Sequence, residues 1–196
     1  MIAALCRYRM RSWALFVVIG VLAGCGHGGD TSRPAATTTT SAKASWSPPP
    51  VAPPDPRTLL SAGATAVAQV PQSVLSFIET EQSQAWRVRV VVADGTEHQL
   101  DIDSGGTTVL VGPTPRNNSD ADTAARRARI VAAHLDYRTA VQNILGVVHS
   151  GSITYLSLAD TSGTTTWEAD VWDTYLVEHK VTINATSGAL LQNKQI

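Results

Sequence analysis

The sequence predicts an α+β protein built from two tandem units, each a helix followed by antiparallel strands. Three observations predict it. First, "TEHQLDIDSGGT" (Thr96–Thr107) returns as "VEHKVTINATSG" (Val177–Gly188), and Glu97 and Glu178 differ by 178 − 97 = 81 positions. Second, the same offset carries Trp86 onto Trp167, His98 onto His179 and Ile102 onto Ile183. Third, each copy has an Ala-rich helical stretch before a set of alternating apolar and polar residues.

The first unit is assigned to residues 57–112. Asp55 and Pro56 suit a helix start, and Leu60, Ala64, Val67 and Ala68 recur at helical spacing, which makes them the expected buried stripe. Gly63 weakens that helix by about 1 kcal/mol relative to Ala. Pro71 ends it. "SVLSFIE" then reads as a strand with Leu75 and Phe77 on one side. "AWRVRVVVADGTEHQLDID" reads as a hairpin turning at Asp94-Gly95. Trp86, Val88, Val90 and Val92 share one face, His98, Leu100 and Ile102 have the inner parity of the return strand, and Arg87 and Arg89 take the other face.

The second unit is assigned to residues 119–196. Asp120 or Asp122 caps one helix, and Asp136 caps "YRTAVQNILGVV". "SITYLSLA", "TTWEADVW" and "YLVEHKVTIN" follow as strands, so each unit is expected to hold three. Leu156 and Leu158 fall 81 positions after Leu75 and Phe77.

Before the repeat come two segments of another kind. Arg7, Arg9 and Arg11 precede a short apolar run, Trp13–Leu22, which ends in "LAGC". This resembles the lipobox of bacterial lipoproteins, which implies a signal peptide over residues 1–24 and a lipid on Cys25. An ordinary signal peptide or an uncleaved signal anchor are the alternatives. The resemblance implies membrane attachment through Cys25 and a position on the outer side of the cell membrane. Residues 25–56 are rich in Thr, Ser, Ala and Pro and bury too little to offset chain entropy, so they are expected to be a disordered tether.

Charge and cysteine content exclude further classes. Of the two cysteines, Cys6 leaves with the signal and Cys25 is lipidated, so no disulfide is expected in the repeat. Loss of three arginines with the signal takes the formal charge from −1 to −4, which speaks against a nucleic-acid partner.

The Ala-rich leading helix, the apolar strand, the hairpin led by "W-x-V-x-V" and the closing "IDSGG" and "INATSGALL" together resemble the PepSY domain. The resemblance covers most of residues 57–196; the second copy fits the closing motif, with Asn184 in place of its acid, and the first departs from it with Gly105-Gly106. It implies a non-catalytic protein that restrains a peptidase or binds an envelope protein. The tandem build is also similar, in architecture alone, to beta-lactamase inhibitor protein.

Candidate sites are few. No catalytic residue, metal or cofactor is expected. Asp103-Ser104-Gly105 is similar to an aspartic protease loop, but the matching Asn184-Ala185-Thr186 lacks the second carboxylate, so Asp103 serves that chemistry only in a homodimer. The remaining reading of Asp103 is a turn that satisfies its own backbone. His98 and His179 each follow a glutamate, but neighbours on a strand face opposite sides and cannot chelate together. Arg126, Arg127 and Arg129 read as a solvated helix face. The outward sheet face holds the preferred candidates for a protein partner, Tyr155, Glu168, Asp170 and Trp172. Glu168 and Asp170 stand where the first unit has Arg87 and Arg89, so the charge is reversed between copies. A module for a small ligand, or a passive envelope module, is the alternative function.

Overall fold

Asp55 accepts the amide of Arg57 and proline fills the first helical position, so α1 begins at Pro56 and runs to Gln69. This chain is described by a computed structural model covering residues 53–80, 85–116 and 119–196. The segments assigned to the signal peptide, Cys25 and almost all of the tether lie outside the described residues. Four strands follow α1: β1 (Val74–Thr80), β2 (Trp86–Val91), β3 (Glu97–Ile102) and β4 (Val109–Pro115). Two helices come next, α2 (Asp120–Ala132) and α3 (Tyr137–Val147), and then β5 (Ser152–Thr161), β6 (Thr164–Trp172), β7 (Glu178–Asn184) and β8 (Leu190–Gln195).

The fold is α+β, with the eight strands in one antiparallel sheet ordered β4-β3-β2-β1-β5-β6-β7-β8. Each copy of the repeat is a meander, and the two meanders join edge to edge through β1 and β5. Each copy holds four strands rather than the expected three. The added β4 and β8 are exposed edge strands carrying Leu110, Val111, Leu190 and Leu191, and two prolines in β4 hid its strand pattern.

The expected parity holds in β2, β3, β6 and β7. Trp86, Val88, Val90, Leu100 and Ile102 are buried together, as are Trp167, Ala169, Val171, Val181 and Ile183. It fails in β1. The β1–β2 register shifts between Leu75 and Phe77, so Leu75 and Ile78 are buried and Phe77 turns to the other face. Ile78 pairs with Val88, and Leu156 with Ala169, so β1 matches β5 at an offset of 156 − 78 = 78, not 81. Ile78 and Leu156, equivalent residues, are themselves partners in the β1–β5 pair. The two copies are thus related by a local two-fold through that pair.

The buried stripe of α1 is Leu59, Ala62, Gly63 and Ala66, not the expected Leu60, Ala64, Val67 and Ala68. At Gly63 the stripe makes a close approach across the two copies. A Cβ on Gly63 would stand 2.6 Å from the ring of Tyr137 on α3 and 2.9 Å from Leu75. Tyr137 is buried, and its hydroxyl donates to the Leu60 carbonyl at 3.3 Å. Burial raises the Tyr137 pKa above the usual phenol value. The glycine that costs helix propensity is what lets this tyrosine tie α3 to α1.

Asp136 caps α3 as expected, accepting from Thr139. The cap of α2 is Ser119 rather than Asp120 or Asp122. Asp122 instead sits at the third helical position and completes a capping box with Ser119. α2 crosses the end of the sheet. Its first turn meets the β2–β3 turn, where a Cβ on Gly95 would run into the Thr123 carbonyl. Arg129 donates to the Leu158 carbonyl at the end of β5, and the Ala132 carbonyl accepts from Thr186 beyond β7.

Candidate functional site

Inward side chains of the sheet are covered by α1 and α3, and the outward side chains make a second surface. At its centre the two-fold brings equivalent residues together. Phe77 and Tyr155 meet edge to face, with ring centroids 5.6 Å apart and planes at 88°. The Arg89 guanidinium lies over the Phe77 ring, 4.0 Å from its centroid. Phe77 was expected on the same side of the strand as Leu75; the β1 bulge separates the two and places Phe77 here.

The four sequence candidates fall on this side of the sheet. Tyr155 is the cross-strand partner of Asp170, and Glu168 is the partner of Ser157 on β5 and Thr182 on β7. Trp172 lies farther along β6, between Ser152 and Glu178, and is partly buried. Tyr155, Glu168 and Asp170 are therefore contiguous, and Trp172 extends the row.

Some charges on this face are paired within their own copy. Arg87 lies 3.7 Å from Glu79 and 3.6 Å from Asp101. Asp170 lies 3.8 Å from Lys180, and Glu168 accepts from the Thr161 hydroxyl at 2.6 Å. Such half-exposed pairs each contribute well under about 1 kcal/mol, so they set the sign of the surface more than its stability.

Asp103 and Asn184 play one structural part in the two copies. Asp103 Oδ1 accepts from the amides of Thr107 and Thr108, both at 2.8 Å. Asn184 Oδ1 accepts from Thr186 at 2.8 Å and Ser187 at 2.9 Å. Gly106 and Gly188, at φ of 77° and 75°, close these loops, donating to the carbonyls of Asp103 and Asn184. Backbone donation by Thr108, then Thr107, holds the Asp103 carboxyl below the usual carboxylate range.

His179 is buried, with Nδ1 3.1 Å from Asn193 Oδ1 and Nε2 3.3 Å from Asp173 Oδ2. That carboxylate is lowered below its usual pKa chiefly by the Val177 amide, with Tyr175 and His179 adding to it. His98 lies opposite Val90 on β2 and is partly exposed.

The arginines of α2 do not form a solvated face. Arg126 is buried and donates from Nε to the Gly95 carbonyl at 3.1 Å. Arg129 donates to the Leu158 carbonyl at 3.1 Å and lies 3.4 Å from Asp160. Only Arg127 of the three is exposed. A run of three arginines beside two aspartates looked surface-bound because the carbonyls that anchor it belong to strands far away in sequence.

No family model matches the chain, and no curated protein matches it. Among solved structures, a protein of Clostridium difficile 630 named as a candidate lipoprotein is similar over 75% of this chain and 97% of its own length. Its sequence identity is 16% and the TM-score is 0.44.

Proposed function

We propose that this chain is a lipid-anchored, non-catalytic extracytoplasmic binding protein made of two PepSY-like units, whose outward sheet face takes a protein partner. The partner class is a peptidase that the protein restrains, or an envelope protein. One observation carries the reading. The outward face holds a row of large side chains, Phe77, Tyr155 and Trp172, beside the acidic pair Glu168 and Asp170, while α1 and α3 serve the opposite face. Aromatic anchors set beside charge are what protein interfaces favour. The membrane attachment rests on the lipobox resemblance at Cys25, and the outer-side location follows from it. Asp103 serves its loop rather than a proteolytic dyad in this reading, since its equivalent is the neutral Asn184.

The test is a pull-down from envelope extract with the full chain, wild type against Trp172→Ala and Tyr155→Ala. A protein retained by wild type and lost from both variants, each still folded by circular dichroism at the assay temperature, supports the proposal. Retention undiminished by either substitution removes the outward face as the site.

A further inference from the structure

A recess of about 200 Å³ opens where α2 overhangs the outward face at the junction of the two copies. Among the described residues four arginines line it, Arg89 from β2, Arg116 just after β4, and Arg126 and Arg129 from α2, and Glu97 is the one acidic residue. Phe77 and Ile130 supply apolar wall.

The positive charge is only partly compensated. Arg116 is held by Glu97 at 2.6 Å, and Arg129 by Asp160. Arg89 and Arg126 make no ion pair among the described residues. Arg126 is buried and fixed by the Gly95 carbonyl and the Thr123 hydroxyl. Arg89 is stacked on Phe77, and its Nε is buried without a hydrogen-bond partner among the described residues. Burial first, and then the charge of Arg116, press the Arg89 pKa below the ordinary guanidinium value; Glu97 and Glu79 act the other way. Gathering cations in a half-enclosed recess costs free energy unless an anion joins them. A guanidinium fork held in place by stacking is suited to a planar or tetrahedral oxyanion.

We propose that this recess binds a small organic oxyanion, its carboxylate or phosphate head held by Arg89 and Arg126 and its apolar body set against Phe77 and Ile130. The site shares Phe77 with the aromatic row but none of Glu168, Asp170 and Trp172, and stands whether or not that row binds a protein. Because α2 and β5 belong to one copy and β1 and β2 to the other, occupancy also clamps the junction.

The test is calorimetric titration of the full chain in neutral detergent with inorganic phosphate and, separately, benzoate, at ionic strength held constant with KCl. Saturable binding of either probe is expected, and the stronger of the two identifies the head group. Arg89→Gln should weaken that binding about tenfold or more, as loss of a charge-assisted donor does. Glu97→Gln should strengthen it, since it removes the opposing carboxylate, and so reads the site in the other direction if Arg89→Gln folds poorly. Arg127→Gln, on the exposed side of α2, should leave it unchanged. Absence of saturable binding with both probes overturns the proposal. So does an equal loss in Arg127→Gln and Arg89→Gln, which would reduce the effect to overall charge.

Discussion

Phe77 and Tyr155 stand in equivalent places of the two copies and touch each other edge to face across the β1–β5 junction, 5.6 Å between ring centroids. A repeat that only follows its twin along the chain makes no such contact. Here the local two-fold passes beside these rings and fuses the copies into one sheet.

That contact is expected to couple the copies. In a double-mutant cycle, Phe77→Ala and Tyr155→Ala should show an interaction of about 0.5–1.5 kcal/mol. Urea unfolding followed by tryptophan fluorescence and by circular dichroism measures it. The two probes should report one transition, since a sheet continuous through β1 and β5 leaves neither copy a complete edge of its own.

Gly63→Ala is expected to destabilise, although alanine favours helix by about 1 kcal/mol. The added Cβ would stand 2.6 Å from the Tyr137 ring, and overpacking of this kind costs about 1–3 kcal/mol. Much of the loss should disappear when the substitution is made in a Tyr137→Ala background. A Gly63→Ala protein as stable as wild type would show that α1 and α3 do not approach this closely.

Trp86 and Trp167 are both fully buried. Truncation of either to alanine should cost about 3–5 kcal/mol in chemical denaturation. Trp167 donates from Nε1 to the Leu135 carbonyl at 3.1 Å, whereas Trp86 Nε1 has no partner among the described residues. Phenylalanine should therefore be tolerated better at position 86 than at position 167, where it strands a carbonyl.

Asp103→Asn should preserve the loop, because Asn184 accepts the same pair of backbone amides in the other copy. Asp103→Ala should lower the denaturation midpoint at neutral pH. The folded pKa of Asp103 is depressed, so its stabilisation is present above the unfolded aspartate value of about 3.9 and is lost as pH falls through the lower folded value. The difference between wild type and Asp103→Ala should accordingly shrink below that range. A difference independent of pH would mean that the carboxylate charge takes no part.

The sequence by itself determined the parts of this fold that depend on local chemistry. The start of α1 at Asp55-Pro56 and the cap of α3 at Asp136 are set by side chains that satisfy amides a few residues away. The parity of β2, β3, β6 and β7, and hence the positions of Trp86, Trp167 and Glu168, follows from an unbroken pleat with a period of two. The paired Asp103 and Asn184 loops were legible because one motif was written twice. Tertiary structure decided the rest. The bulge that turns Phe77 outward, and with it the 78-residue offset of β1 and β5, arises from hydrogen-bond register with a neighbouring strand, which no period within β1 encodes. The inward place of Gly63 is matched to Tyr137, a side chain on another helix that leaves no room for a Cβ there. The burial of Arg126 was decided by a carbonyl of the β2–β3 turn and the path of α2 over the sheet end. An arginine's own sequence neighbours show its charge, but only distant backbone acceptors decide whether that charge meets water or lines a recess.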